Sequence, residues 1–591
     1  MRRHSRLAVA AGSAVSVIIT CGALAAGAGP AGAAATAAGG RAIPASGASP
    51  VWGAAEQVPG ITTLDDNGAA ILSAVSCAAK GACSAGGFYV DGATTYDEAF
   101  VVGESGGVWG SAQDVPTVPM LNTGHDAQVM TISCLAAGNC GAAGYYRDTS
   151  GLQTFVVGEA GGTWDGATQL PGTGGIYAQP LSEACPAFAR CTIGGFYADA
   201  RDNNQPFVDD QRPDHTWPAI LPVPGNPNAG MSAKVESLSC KSVGNCSAGG
   251  YYTDAGGKRQ AFVVNEKKGA WHSAKEVAAK LNKGGDAEIA QVSCGSPGNC
   301  AAVGDSTPKS GQQQPFVVSE KNGTWGPATT LPGVAKLNTG AFGGLTTLSC
   351  ASAGNCSAAG YYVVKNNDQQ VFVVTGKNWT WGTAIEVPGF GTWNTGGDGV
   401  AEAVSCVSPG TCAATGEYRT STKDFEVWVA SERAGSWGKT RTVPGLIGLN
   451  AHGFADVYGL SCATAGSCGI VGYYTDAAGA EQPFVASGAI AVGTTITEKL
   501  SASKVTYGHE QSARVSVTVA VKHGPGVPGG TVAVTAGSVT VCVITLKAGT
   551  GSCTLAPKKL KPGSYALVAR YRGQPEYNAS ASAKKTLKVV K

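Results

Sequence analysis

Charge, histidine and methionine are scarce in this chain. Only 14% of its 591 residues are Asp, Glu, Lys or Arg, the formal net charge is +2, and there are 7 His and 4 Met. A nucleic-acid binder needs a basic surface to displace counterions. No basic stripe is present, so no nucleic-acid partner is expected. Helical periodicity is also missing, which argues against a bundle or an α/β fold. Beyond the N-terminus there is no long uninterrupted apolar run, so no transmembrane anchor is expected. The chain is not a disordered one either, since 43% of it is hydrophobic. Its 86 Gly therefore read as the turn chemistry of an all-β protein.

What is present begins with a basic Arg2, Arg3 and Arg6, an apolar stretch over 7–26 and small residues at Ala31, Gly32 and Ala33. This is the pattern of a cleaved secretion signal. Cys21 offers a lipidated cysteine as the alternative, but Ile18, Ile19 and Thr20 lack the small residue that normally precedes one.

Of 19 Cys, sixteen fall in eight pairs of identical C-x5-C spacing. These are Cys77/Cys83, Cys134/Cys140, Cys185/Cys191, Cys240/Cys246, Cys294/Cys300, Cys350/Cys356, Cys406/Cys412 and Cys462/Cys468. The pairs recur every 51 to 57 residues, which marks a repeat architecture. Zinc sites favour C-x2-4-C with further Cys or His, and redox sites favour C-x-x-C. In an exported chain the better reading is eight structural disulfides, each contributing about 2 kcal/mol by the chain-entropy argument.

Each repeat carries four strand-like runs separated by turns, as in 235–240, 246–252, 260–265 and 270–277. Four antiparallel strands per repeat make one propeller blade. The fourth run is centred on Trp52, Trp109, Trp164, Trp217, Trp271, Trp325, Trp381 or Trp437. Trp52 precedes the first Cys pair, and the eighth repeat lacks a Trp run. The N-terminal run is therefore expected to complete the last blade and close the ring, leaving no open sheet edge. At equivalent places in every blade, the Trp are expected to be core. Ser319, Gly323, Thr324 and Trp325 resemble the Asp-box turn of sialidase-type propellers (S-x-D-x-G-x-T-W), although Asn322 is out of register with the Asp. That resemblance implies a blade and carries no activity.

After Gly493 the Cys period stops. Val505-Thr506-Tyr507-Gly508, Pro528-Gly529-Gly530-Thr531-Val532, Gly551-Ser552-Cys553-Thr554-Leu555 and Leu560-Lys561-Pro562-Gly563-Ser564-Tyr565 resemble the bacterial Ig-like repeat domains of surface and secreted proteins. The resemblance implies a β-sandwich spacer or adhesion module. Cys542 and Cys553 are expected to pair. The chain is thus expected to divide into a signal peptide (1–34), a linker (35–50), an eight-bladed β-propeller (51–488), a linker (489–493) and an Ig-like domain (494–591).

No zinc-protease motif, nucleophile elbow, phosphate loop or nucleotide fingerprint occurs, and Arg147, Arg259 and Arg419 are too scattered to nominate a sialidase-like arginine cluster. Neither an enzyme nor a cofactor or metal is expected. The recurring Glu104, Glu159, Glu266, Glu320 and Glu432 read as turn or edge chemistry. A repeated polar loop is the candidate ligand-binding feature. Twelve residues before the first Cys of seven repeats stand Asp65, Asn122, Asn228, Asn282, Asn338, Asn394 and Asn450, followed in three cases by Asp126, Asp286 and Asp398, with Trp393 beside one of them. Amides and carboxylates gathered at a ring mouth suit glycan hydroxyls or a hard cation. The competing reading is that Asn here serves the turn. The expected function is a secreted, monomeric binding or adhesion scaffold for an extracellular glycan or protein. A polysaccharide hydrolase and a structural envelope protein are the alternatives.

Overall fold

The computed structural model describes residues 51–591 except 67, 174–175, 226–227, 229–231, 341, 464–466, 491–492, 523–526 and 575–576. The expected signal peptide, the linker 35–50, the Cys21 alternative and part of the second linker lie outside the described residues. The described chain is all-β: eight repeated four-strand sheets and an Ig-like sandwich. Among the described residues no helix is long and apolar enough to cross a membrane.

In the fourth unit the strands are Ala233–Ser242, Asn245–Thr253 and Arg259–Lys267, in antiparallel order. The fourth strand, expected as one run, is two short pieces, Ala270–Trp271 and Lys275–Glu276, both paired with the third. Between the pieces the Ala274 amide leaves its own sheet and donates to the Pro224 carbonyl of the preceding unit. Ala112 to Pro59, Ala167 to Pro116, Ala384 to Pro332 and Ala55 to Pro444 repeat this bond, so the W-G-x-A-x-x-V-P-G phrase encodes a link between units. Trp109, Trp271 and Trp437 likewise donate from Nε1 into a neighbouring unit, to Ser487, Asp210 and Thr375. The third unit departs from the pattern: its sheet ends in Leu221–Pro222, and Trp217 belongs to no strand.

All eight C-x5-C pairs are disulfides: Cys77–Cys83, Cys134–Cys140, Cys185–Cys191, Cys240–Cys246, Cys294–Cys300, Cys350–Cys356, Cys406–Cys412 and Cys462–Cys468. Each clamps the first strand to the second across a tight hairpin. The eight structural disulfides are as expected, and the second Cys of every pair is buried. Cys83, Cys140, Cys191, Cys246, Cys300, Cys356, Cys412 and Cys468 all pack inside the array. The bonds therefore also fill core volume.

The Ser before the first Cys has a separate task. Its hydroxyl accepts from the amide of the first Cys in the next unit: Ser76 from Cys134, Ser133 from Cys185, Ser239 from Cys294, Ser293 from Cys350, Ser349 from Cys406 and Ser405 from Cys462. Ser461 of the eighth unit accepts in the same way from Cys77 of the first, at 2.9 Å. Ala184 replaces this Ser in the third unit.

A bulge in the first strand explains one repeated glycine. An extra residue, such as Ser73, Met130 or Glu236, interrupts the ladder to the second strand. Opposite it, a Cβ on Gly87, Gly144, Gly250, Gly304, Gly360, Gly416 or Gly472 would lie 1.9–2.1 Å from a carbonyl oxygen on the opposing chain. Only glycine allows the backbones to approach this closely.

The leading segment pairs with the last unit. Val51–Trp52 and Glu56–Gln57 both run antiparallel to Glu481–Ala489. Ser487 of the eighth unit donates to Glu104 of the first at 2.7 Å.

In the C-terminal domain, one sheet holds Thr494–Leu500, Arg514–Val521 and Thr550–Thr554. The other holds Lys504–Thr506, Lys585–Val590, Gly563–Tyr571, Thr531–Ala536 and Val539–Thr545. Alternating Val515, Val517 and Val519 share one core with Val532, Val534, Leu567 and Leu587 of the other sheet. Cys542 and Cys553 are bonded, and they sit in different sheets, so the link staples the sandwich instead of one hairpin. Val407 of the seventh unit packs against this core.

Candidate functional site

The repeated Asn residues lie in the connections between units and their side chains are hydrogen-bonded there, although the buried Oδ1 of Asn450 has no partner. Asn394 is buried; its Nδ2 donates to the Gln369 carbonyl of the sixth unit, and its Oδ1 accepts from the amides of Asp398 and Arg419. Arg419 belongs to the seventh unit, so one side chain ties two units together. Asn122 makes the same three bonds to Asp97, Asp126 and Arg147. Asn338 joins Gln313 to Val363, and Asn228 joins Asn204 to Thr253. Asn282 reaches Arg259 and Asp286, and Asn450 reaches Phe425. Asp65 is buried at the equivalent place. These amides fasten one unit to the next, the role that the turn reading of Asn anticipates. Trp393 is half-buried, edge-on to Tyr418 at 5.8 Å. Asp126 is held by Arg147 at 2.8 Å, and Asp286 lies 3.5 Å from Arg259. Asn394→Ala should therefore cost about 1–3 kcal/mol by stranding its three backbone partners. Chemical denaturation would measure this, with ligand binding by the folded fraction unchanged.

The recurring Glu is also more than turn chemistry. Glu104, Glu159, Glu320 and Glu432 are buried, and each accepts from a hydroxyl of a neighbouring unit: Ser487, Ser84, Ser247 and Ser357. Burial raises the pKa of all four carboxyls.

What sequence reasoning missed is a break in the eightfold pattern five residues after the second Cys. Six units carry an aromatic there: Phe88, Tyr145, Phe196, Tyr251, Tyr361 and Tyr473. The fifth carries Asp305 and the seventh Glu417. Comparing the eight G-[FY]-Y phrases column by column would have found both. Asp305 pairs across the strands with Glu288, next to Arg259, whose guanidinium bonds Glu288 and lies 3.9 Å from the Tyr251 ring centre. Burial, and then Glu288, pushes the Asp305 carboxyl up.

Glu417 has no such cation. Burial raises its pKa well above the usual carboxylate range, reinforced by Asp456, Glu402 and Asp398. Asp456 of the eighth unit is raised for the same reasons, burial first and then Glu402. Beside these acids runs a ladder of rings. The Arg419 guanidinium lies 5.3 Å from Phe425, Phe425 is 5.1 Å from Phe454, Phe454 is 5.9 Å from Tyr473, and Tyr473 stacks on Tyr458 at 5.7 Å. Phe454 is 39% exposed, so the ladder runs from solvent to a group of half-buried carboxyls. Aromatic faces next to carboxyl acceptors are the chemistry that holds a sugar ring and its hydroxyls. Among the described residues three Cys/Glu/Asp clusters have the spacing to hold a metal, but all depend on disulfide sulfurs, which are not thiolate ligands.

Residues 498–590 match the bacterial Ig-like domain (group 3) family. No curated protein matches the chain. Among solved structures, Sqt1 from Chaetomium thermophilum is 12% identical, with a TM-score of 0.40 over 72% of this chain and 98% of that one. The extracellular domain of a putative hybrid two component system from B. thetaiotaomicron is 10% identical, with a TM-score of 0.26 over 88% of this chain and 74% of that one. Nine disulfides and a bacterial Ig-like domain together fit an extracellular protein of bacterial type.

Proposed function

We infer that this chain is a secreted, non-enzymatic glycan-binding scaffold. In this reading residues 51–488 form one closed eight-bladed β-propeller, its mouth between the seventh and eighth blades holds the glycan, and residues 494–591 are an Ig-like spacer. Ring closure is supported by the Val51–Trp52 pairing with the last unit and by the Ser461 to Cys77 bond. The observation that carries the binding reading is the ring ladder from Phe454 to Tyr458 beside Glu417 and Asp456, found at one place in the repeat. The test is a glycan array followed by calorimetry on the best ligand. Phe454→Ala should weaken binding about tenfold, as loss of one aromatic contact of about 1.4 kcal/mol requires, and should leave the melting temperature nearly unchanged. No glycan bound by the wild-type chain would sink the reading.

A hydrolase is the second reading. A carboxyl kept protonated near neutral pH beside another carboxyl is how a glycosidase holds its general acid. Glu417 meets the first half of that condition, and Asp456, raised as well, would have to ionise to serve as the second carboxylate. Release of reducing ends from the bound polymer, lost in Glu417→Gln, would replace the scaffold reading with this one.

A further inference from the structure

Two residues before the first Cys, the repeat demands an aliphatic side chain: Val75, Ile132, Leu238, Val292, Leu348, Val404 and Leu460. These pack between units, and all but Val75 are buried. The third unit has Glu183 instead. Its Oε2 is buried and accepts no hydrogen bond. Burial raises the Glu183 carboxyl well above its ordinary range, and no neighbouring charge contributes. A carboxyl in a position built for leucine, with an oxygen left unpaired, is costly unless something else satisfies it.

Beside Glu183 is a cavity of about 200 Å³ between the second and third units. The same unit has reshaped its surroundings. Trp217 belongs to no strand and lines the cavity. Phe188 brings a ring to its mouth, where the hairpins of other units place Lys80, Ala137, Val243 or Pro297. Phe188 is 50% exposed, Leu135 of the second unit 45%, and the Phe188 ring meets His215 edge-on at 6.1 Å. Gly141 faces Glu183 from the second unit, and a Cβ there would lie 2.7 Å from the carboxyl oxygen and from both disulfide sulfurs. The lining includes Glu159, Asp165 and Glu183 but neither lysine nor arginine. The volume is below the roughly 300–1,000 Å³ of a drug-sized site, and so suits a single side chain.

We propose that this cavity is a second binding site, distinct from the glycan-binding mouth, which takes a primary alkylammonium group of the lysine side-chain kind: the aliphatic stem lies against Leu135, Phe188 and Trp217, and the ammonium pairs with Glu183. Such a cation supplies the buried oxygen with the charged donor that the protein does not. The aromatic rim favours a cation in passage. An exposed lysine of a neighbouring protein has this chemistry.

The probe is 1-pentylammonium, with 1-pentanol as the uncharged match, titrated into the full chain and followed by calorimetry and thermal shift. Wild type should bind pentylammonium saturably and pentanol at least about tenfold more weakly. Glu183→Leu restores the residue type of the other seven units. It should fold with an equal or higher melting temperature and lose pentylammonium binding by about tenfold or more. Glu183→Gln should lose it too while keeping the shape. Equal binding of pentanol, unchanged binding by either variant, no saturation by wild type, or binding of Ca²⁺ in place of the amine would each overturn the proposal. None of these outcomes bears on glycan binding at Phe454.

Discussion

Trp52→Ala is expected to lower the stability of the repeat array by about 3–5 kcal/mol, as for a large aromatic lost from a packed core. Trp52 is 7% exposed and packs in one core with Leu446 of the seventh unit and Leu460, Ile470 and Phe484 of the eighth. A Cβ on Gly488 would lie 2.3 Å from its ring, so the indole sits directly on the last strand. The chain distance makes this contact unusual. Its partners belong to the last two units, so the contact spans almost the whole array. An internal Trp such as Trp325 packs among residues of its own and the preceding unit, and its loss damages only that neighbourhood. Removing residues 51–58 should do more than Trp52→Ala, since it exposes the edge of Glu481–Ala489 and invites association between chains. Urea unfolding followed by circular dichroism, with sedimentation to detect association, tests both. A loss below about 1 kcal/mol for Trp52→Ala would mean that the first and last units are not locked together.

Raising the pH from 5 to 9 should destabilise the protein. Burial pushes Glu266 up to about 8, helped by Asp210, and Asp209 up to about 8. Burial also takes Glu426 up to about 7 and Asp97 up to about 6. The native state therefore keeps protons that the unfolded chain sheds at about pH 4. Where the native state binds more protons, stability falls as pH rises. The contribution is fully present below the unfolded carboxyl range and is lost as the pH passes through these raised values, so the window is about pH 4 to 8. A tenfold difference in proton affinity between the folded and unfolded states is worth about 1.4 kcal/mol, and the combined effect should be a fall of several degrees in melting temperature between pH 5 and 9. Turn residues Asp91, Asp199, Asp214 and Asp254 are displaced the other way by backbone and side-chain hydrogen bonds, and they act only at lower pH. Glu266→Gln should flatten the profile. Asp210 already accepts from Trp271 at 2.7 Å and Thr192 at 2.6 Å, and a glutamine beside it carries no charge to titrate. A melting temperature that is level or rising from pH 5 to 8 at constant ionic strength would contradict this account.

Legibility differed from residue to residue. The first strand run of a repeat, such as 235–240, is readable because alternation is a local property, and it falls within Ala233–Ser242 as found. The bonding of Cys300 to Cys294 was readable from spacing, but its place in the core was not, since Ile289 and Phe316 pack with it only once the sheet has formed. The Asn column is legible in the sequence, but its bonding partners are not. Asn before Gly signals a turn, but the partners of Asn394 are a carbonyl and an amide each 25 residues away on different units. Glu183, Asp305 and Glu417 are not legible within their own segments because their meaning lies in comparison down a column. Each is an ordinary acidic residue in its own segment, and it stands out only beside its seven counterparts.

Local pattern was enough for the repeat, the disulfide pairing and the strand order within each unit, since a six-residue separation and a two-residue alternation act over distances the nearby chain can enforce. Folding against the next unit settled which polar side chains are fasteners and which are left facing a cavity or an aromatic ladder. That choice depends on what the neighbouring unit places opposite each residue. Hydrogen-bond partners and desolvation are set across the interface between units, where the linear chain has no local pattern to report.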